Sequence, residues 1–545
     1  MRAKTSPSPP KARGLGCGRR AHGIALSACA LAALFAVDAQ AQWSEFGGVA
    51  GQVSNAASLG RAPSTPGGRG FFITPFLTLE ETLTDNANLT PDGEWDAITS
   101  ATVGLTMSGT YGSLTGSLSF GLNGYFYANG TGDNRVEFSN DLNAAGTLEV
   151  VDDRVFVDAF ARVSQQVVDP FGIRPVDPSR PNENTTTTLD YGISPWARGT
   201  IGGSVDYLAR VSLTGSTNAE SSAYGFQDFS GLARLEGGTG FRRLGWALTA
   251  AGRASAYGDE VRTGNYGATG SLIFAVTPYF NLRANAGVEF QNYLDVDQSR
   301  RSDLYGAGFD WQPTDRTSIS AGVENRFFGN SYFASIQHRT PKTVWTYLGR
   351  QGISEIGGVS AISVGTNYDL FFQQFASVEP DPLKREQLVR DFLRLNGIPA
   401  DQQLTVGFLT TQIQLERSHN LSFAWLLGRR NTLSVSVGQN DTSALVDFLG
   451  ADGFDNETYV RERTFSAIFS HQLTPRSSVS ILGARIRTED RDGNRSTTQD
   501  RIELNWGTTL ASRSRLDVTA RRVDFSSPTN PYTENALVAR FNMTF

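Results

Sequence analysis

The sequence predicts an all-β fold, a transmembrane antiparallel up-and-down β-barrel of about 22 strands, within a range of roughly 18 to 24. Three observations carry this prediction. The chain opens with a segment typical of export. Strand-like segments with alternating apolar and polar residues recur from about residue 70. The turns between these segments alternate between tight turns and longer, polar loops.

The first 41 residues have the layout of a secretory signal peptide. A basic stretch at 11–20 precedes an apolar run at 23–37, and a small-x-small cleavage site follows at 39–41. A rival interpretation is a lipoprotein signal, because residues 26–29 resemble a lipoprotein cleavage box. Ordinary cleavage would remove both cysteines, so the exported fold would have no disulfide. It would also remove six basic residues and one acidic residue, which makes the net charge more negative than −6 and disfavours nucleic acid as a partner.

Residues 42–69 are rich in Gly, Ala, Ser and Pro and are expected to form a flexible periplasmic N-terminal segment. The barrel is expected to span residues 70–545. In the stretch 282–291, for example, Leu, Ala, Ala, Val and Phe alternate with Arg, Asn, Gly, Glu and Gln, so one face of the strand is apolar and the other polar. After the leader, no apolar run approaches the ~20 residues of a membrane helix. Strands closed into a ring are therefore the expected way to cross a membrane.

The turns fall into two sets. Short turns in the periplasm and long loops outside are typical of an outer-membrane barrel, and an even strand count keeps both ends of the barrel in the periplasm. A β-propeller or solenoid is the soluble alternative, but we find no fixed repeat period. Tight turns are expected at 111–113, 151–153, 199–203, 277–280, 312–316, 428–431, 474–477 and 511–514, and longer loops at 84–93, 129–134, 169–185, 217–223, 441–457, 489–496 and 526–534.

The longest interruption of the strand pattern is a loop at 351–410, which contains a predicted helix at about 382–396. Asp381 can cap its start, Pro382 suits the first helical position, and Gly397 can end it. Such a helix would either cover the outer mouth or narrow the lumen, and a packed external loop is a third possibility. Known 22-stranded transporters hold a plug in the lumen. Residues 42–69 are too few for a plug domain, so the lumen is expected to be open or narrowed by this loop.

Catalytic and metal-binding motifs are missing from the sequence. Beyond the leader the histidines are His338, His419 and His471, and none belongs to a nucleophile elbow or an HExxH motif. Two acidic stretches, 91–96 and 450–457, lack the spacing of a calcium-binding EF-hand loop. We therefore expect no catalytic residues, no cofactor and no metal.

Charged residues of both signs occur on the polar faces of the predicted strands. There they would form either a structural network in the lumen or a solute path, and the sequence favours neither. The residues expected to face the lumen are Asp158, Arg162, Arg283, Glu289, Glu324, Arg326, Arg485, Asp517, Arg521 and Arg540.

The last segment alternates cleanly. Its apolar residues, from Leu537 to Phe545, share the face that would meet lipid, and the strand must pair with the first one near 70–83 to close the ring. Phe541, Met543 and Phe545 resemble the signal read by the barrel assembly machinery during biogenesis.

The stretch "FGNSYFASIQHRTPKTVWTYLGR" at 328–350 is the least generic part of the chain. It resembles the hallmark of an uncharacterised family of outer-membrane barrel proteins associated with the PEP-CTERM/exosortase system of exopolysaccharide-producing Gram-negative bacteria. Segments 81–91, 309–329 and 426–438 fit the same family. The resemblance supplies no activity. The matching residues, which strand pairing and turn formation also explain, are Trp311, Pro313, Arg326, His338, Arg339 and Trp345.

The leading functional hypothesis is a non-enzymatic outer-membrane channel or export-associated barrel. The resemblance implies a Gram-negative outer-membrane location, with outer-membrane lipid, lipopolysaccharide and the assembly machinery as partners, and with exopolysaccharide or its export machinery nearby. One alternative is a structural or adhesion barrel whose loops bind extracellular polysaccharide. A second is a hydrolase at the barrel mouth, which would need His338 or His419.

Overall fold

The structure is a computed structural model. It describes residues 70–131, 136–176, 182–218, 225–257, 261–293, 299–354, 367–375, 385, 388–390, 392–393, 413–446 and 459–545. The predicted signal peptide and N-terminal segment lie outside these residues.

Twenty-two antiparallel strands form one closed sheet. Each strand pairs with its neighbours in the chain, and the last strand pairs with the first over the register from Phe76↔Thr544 to Thr84↔Ala536. The strands are β1 (Gly70–Thr84), β2 (Asp96–Tyr111), β3 (Leu114–Tyr127), β4 (Val136–Val151), β5 (Val155–Val167), β6 (Thr185–Ile201), β7 (Val205–Asn218), β8 (Phe226–Gly238), β9 (Leu244–Tyr257), β10 (Val261–Thr277), β11 (Phe280–Gln291), β12 (Arg300–Thr314), β13 (Thr317–Arg326), β14 (Gly329–Arg339), β15 (Thr343–Ser354), β16 (Ile413–Leu427), β17 (Asn431–Val446), β18 (Tyr459–Thr474), β19 (Ser477–Asp490), β20 (Ser496–Ala511), β21 (Ser514–Ser526) and β22 (Tyr532–Thr544). The predicted all-β barrel of about 22 strands is confirmed.

The two ends of the barrel differ. At the end where β1 begins and β22 ends, the connections are tight, such as the two residues between β2 and β3. We call this the short-turn end and the opposite end the loop end. The longest connection runs from Ser354 to Ile413, slightly later than the predicted 351–410, and contains helix α1 (Asn367–Phe375). Of the helix predicted at 382–396, the described residues 385, 388–390 and 392–393 are helical.

The two faces of each strand differ as the alternation predicts. On β22, Leu537 is exposed on the outside while Val538 is buried on the inside. Large apolar side chains such as Leu272 and Leu504 are likewise exposed on the outer surface. A closed sheet leaves no unpaired edge, and an apolar exterior suits hydrocarbon. The architecture is therefore that of an outer-membrane-type transmembrane β-barrel.

Among the described residues, no helix has the length and apolar character needed to cross a membrane.

A charge placed on the outer face should destabilise the barrel. We expect Leu504→Arg, on the outer face of β20, to lower the free energy of unfolding in lipid vesicles by about 2–4 kcal/mol, because the guanidinium would lie in hydrocarbon. The matched control is Asn505→Arg, the next residue, whose amide faces inward and bonds the Thr519 hydroxyl at 2.7 Å. Urea titration of both variants measures the difference. Equal losses would contradict the assignment of faces.

Candidate functional site: the lumen and its two closures

One part of the inner wall, on β5 to β13, is built from paired charges. The Arg326 guanidinium contacts the Glu289 carboxylate at 2.7 Å, and both side chains are almost fully buried. Asn285 donates a hydrogen bond to Glu324 at 3.0 Å, and Arg283 pairs with Asp310. The first two contacts link β11 with β13 across the intervening strand β12, and the third links β11 with β12.

The other predicted lumen residues, apart from Arg485, also lie on inner faces. Asp158 pairs with Arg210 at 2.9 Å, and Arg162 is opposite Asp190 in register. The remaining ones belong to the seam region formed by β20 to β22 and β1. There Arg521 pairs with Glu534 at 3.2 Å, Arg540 with Glu80, and Asp517 with Arg515 at 2.8 Å.

Arg485 lies on the outer face, although we expected it to face the lumen. It is opposite Phe465 in register, and that ring is exposed on the outside. Arg485 pairs with Asp500 across the outer surface of β19 and β20. The inner face of β19 instead carries Leu482, which is buried. The expectation failed because it assumed that apolar positions always face lipid.

Apolar side chains on the inner face of β19 and nearby strands contact helix α1 inside the barrel. The buried cluster joins Leu370, Phe371 and Phe375 of α1, together with Val389 and Leu393, to the wall. The wall positions are Val344 on β15, Ala424 on β16, Ile468 on β18 and Leu482 on β19.

Chain neighbours of these wall residues show that the cluster is internal. Trp345 and Trp425 are exposed on the outer surface of the barrel. Because successive residues of a strand face opposite sides, their chain neighbours Val344 and Ala424 point inward. Val344 is the second residue of β15, directly after a tight turn. Helix α1 therefore lies in the lumen near the short-turn end of the barrel. Of the three arrangements considered for the long loop, the structure shows the one in which a helix narrows the lumen. We call α1 together with the described residues 385, 388–390 and 392–393 the lumen helix segment.

A second closure crosses the loop end. We call the described residues 168–176 and 182–184, between β5 and β6, the crossing loop. The Arg174 guanidinium contacts Glu462 of β18 at 2.8 Å, and the Arg174 carbonyl accepts a hydrogen bond from Gln499 of β20 at 2.8 Å. Neither β18 nor β20 pairs with β5 or β6, so the crossing loop reaches over the mouth to a distant part of the ring.

Apolar contacts support the same crossing. Phe171 packs against Val460 on the inner face of β18, and the Arg495 guanidinium lies 4.4 Å from the Phe171 ring centre. Ile173 and Val176 pack against a cluster that includes Val523, Phe525 and Tyr532. The crossing loop is therefore fixed by a buried ion pair and by two apolar contacts.

The three histidines all lie on the outer face. His419 lies between two tyrosines, with its Nε2 at 2.9 Å from the Tyr332 hydroxyl and its Nδ1 at 3.0 Å from the Tyr347 hydroxyl. A Cβ at the neighbouring Gly349 would come within 2.5 Å of the Tyr347 hydroxyl, so glycine makes room for this arrangement. Both ring nitrogens are thus occupied, which lets a polar ring face the membrane.

His338 and His471 have equally simple partners. His338 Nδ1 lies 2.8 Å from the Thr317 hydroxyl, and His471 Nδ1 lies 2.6 Å from Asn431 Oδ1. None of the three rings lines the lumen. Within the described ranges, no three His, Cys, Asp or Glu side chains are grouped to hold a metal ion.

The residues of the family resemblance lie in the hairpins β12–β13 and β14–β15. Trp311 and Trp345 are exposed on the outer face, and Trp345 packs against Phe423 with ring centres 4.1 Å apart and ring planes tilted by 39°. Arg339 donates a hydrogen bond to the Asp315 carbonyl at 2.9 Å, and Pro313 lies at the end of β12. Strand pairing and turn formation account for these four positions, and the buried ion pair with Glu289 of β11 accounts for Arg326.

Phe541, Met543 and Phe545 share the outer face of β22, beside β1. The Phe545 N–H donates a hydrogen bond to the Pro75 carbonyl at 2.9 Å. Their role as an assembly signal stays a prediction.

No protein-family model matches the chain, and no curated protein matches it. Among solved structures, the siderophore receptor PirA from Pseudomonas aeruginosa aligns at 10% identity and a TM-score of 0.45, covering 88% of this chain and 81% of the receptor. The FrpB iron transporter from Neisseria meningitidis aligns at 11% identity and a TM-score of 0.45, covering 87% and 82%. Likeness at this level carries no conclusion about what this chain does.

Breaking the buried ion pair should release the crossing loop. We expect Arg174→Ala to leave Glu462 buried without its cation, at a cost of about 3–5 kcal/mol, so that proteinase K cleaves within 168–184 at least 10-fold faster. The double variant Arg174→Met with Glu462→Leu removes both charges and should keep most of the protection. The matched control is Arg198→Ala. Arg198 forms an exposed ion pair with Asp153 at 3.9 Å, so its loss should leave the rate of cleavage within 168–184 unchanged. Unchanged cleavage in Arg174→Ala would contradict the anchoring role.

Proposed function

We propose that this protein is a gated, non-enzymatic channel of the outer membrane. The observation that carries the proposal is the lumen helix segment, which packs on the inner wall through Val344, Ala424, Ile468 and Leu482. A barrel of 22 strands is wide enough to need filling or to conduct. A segment held by side-chain packing, within a single long connection, can move without breaking the ring.

The strand register makes a clean test of this gate. Ser354 and Gln414 are opposite each other on β15 and β16, so a short turn can join these strands once residues 356–411 are removed. We expect the full chain in planar bilayers to show little steady conductance and the shortened chain to conduct at least several-fold more, because the lumen is then free of the helix.

A point substitution should give the same result with less change. The Phe371 side chain of α1 is fully buried against the barrel wall. Phe371→Asp should therefore loosen the contact between the helix and the wall and raise the open probability of the channel. The control is Leu388→Asp, an exposed position on the same segment. If neither the shortened chain nor Phe371→Asp conducts more than the full chain, the channel proposal is wrong.

The resemblance supports a narrower proposal, that the channel serves exopolysaccharide or PEP-CTERM surface-protein export. Deleting the gene in the source bacterium should then lower the polysaccharide released into the medium, while cell-bound lipopolysaccharide stays the same. Equal release in both strains would remove this narrower role.

A further inference from the structure

The inner wall of β16 differs from the charged wall of β5 to β13. Its five successive inward positions are all polar and at most 4% exposed: Gln414, Glu416, Ser418, Asn420 and Ser422. Four of these five side chains are neutral. The next inward position is Ala424, which contacts the lumen helix segment.

Several polar atoms on this wall have no hydrogen-bond partner. Both side-chain polar atoms of Gln414 and of Asn420, and the hydroxyls of Ser418 and Ser422, are buried without a partner in the part of the chain that the structure describes. Asn440 on β17 uses its Nδ2 toward Thr442 at 3.4 Å, while its Oδ1 is unpartnered. Buried polar side chains are nearly always paired, so a row of unpartnered ones indicates water or a ligand that supplies the missing bonds.

The row lies between the two closures. Toward the loop end, the inner face of β18 holds Val460 and Glu462, which contact the crossing loop. Toward the short-turn end, the same face holds Ile468, which contacts the lumen helix segment. Between them Ser466 bonds Ser436 of β17 at 2.8 Å. Along the barrel axis, the β16–β17 wall therefore lies between the crossing loop and the lumen helix segment.

We propose that this wall is a binding site for neutral, hydroxyl-rich solutes such as oligosaccharide chains. Amide and hydroxyl side chains offer both donors and acceptors, which is what sugar hydroxyls require, and they attract neither sign of charge. On β11 and β13, charged pairs such as Arg326 and Glu289 satisfy each other and have less to offer a neutral solute. The site rests on the proposed function, because a solute reaches it only when a closure opens.

The test measures binding of radiolabelled maltohexaose to the full chain in detergent by equilibrium dialysis, with the charged pentagalacturonate as a comparison. The wall variant is S418A/N420A/S422A. The matched control is S230A/N265A/S271A, which makes the same three changes on the inner faces of β8 and β10, where all three residues are also buried. We expect the wall variant to bind maltohexaose at least about 10-fold more weakly and the control less than about 2-fold, since each lost hydrogen bond weakens binding several-fold. A shift in gel mobility on heating shows that each variant forms a folded barrel. If the triple variant does not fold, the single variant N420A is measured in its place.

Three results would overturn the site. The first is that neither the full chain nor the chain lacking 356–411 binds maltohexaose. The second is that the two triple variants weaken binding equally, and the third is that pentagalacturonate binds more tightly than maltohexaose. The two proposals fail separately. If the shortened chain conducts but does not bind the sugar, the channel stands and the site is wrong. If it binds the sugar but does not conduct, the gate is wrong.

Discussion

Every other feature of the barrel requires that β22 pair with β1. In hydrocarbon no water is present to satisfy an unpaired strand edge, so the sheet must close completely. The seam does so in an unbroken register from Phe76 to Thr84 of β1, and Thr78 and Asn542 add a side-chain hydrogen bond at 2.8 Å. Once the ring is closed, the outer face must be apolar, whereas the inner face can vary. The variation of the inner face is where the functional features lie.

Inside the ring, the described residues divide into unlike walls. Paired charges on β5 to β13 link strands one or two places apart, while most inward positions of β15 to β19 are neutral polar or apolar. The apolar ones lie where the lumen helix segment packs. The ion pair of Arg174 with Glu462 fixes the crossing loop at the other end. The β16–β17 wall, with its unpartnered polar atoms, thus lies between the lumen helix segment and the crossing loop, which connects the gate with the proposed solute site.

The fold was largely predictable from the sequence because strand periodicity is a local property. Strand alternation, the two turn sets and the closing strand all follow from residues close in the chain. Connections without a strong signal were missed, such as the tight link from Arg326 to Gly329 at the loop end, where a long loop would be the usual case. Helix α1 was also missed, since "NYDLFFQQF" is short and aromatic-rich, and its helix depends on packing against the wall.

The site was less predictable, because it depends on contacts between distant parts of the chain. Arg283 and Glu289 lie buried on the inner face, whereas Arg485 lies on the outer face opposite Phe465. No local pattern shows that Leu482 and Ile468 would face a helix instead of lipid. Likewise nothing near Arg174 in the sequence points to Glu462, which lies 288 positions later.

Helix α1 lies inside the barrel, and a photo-crosslinker at Phe371 can probe that position in the assembled protein. With benzoylphenylalanine at this position in intact cells, irradiation should link the helix to peptides of its own chain that contain Val344 or Ala424, its neighbours in the buried cluster. Adducts confined to loop-end peptides or to other molecules outside the barrel would contradict the account.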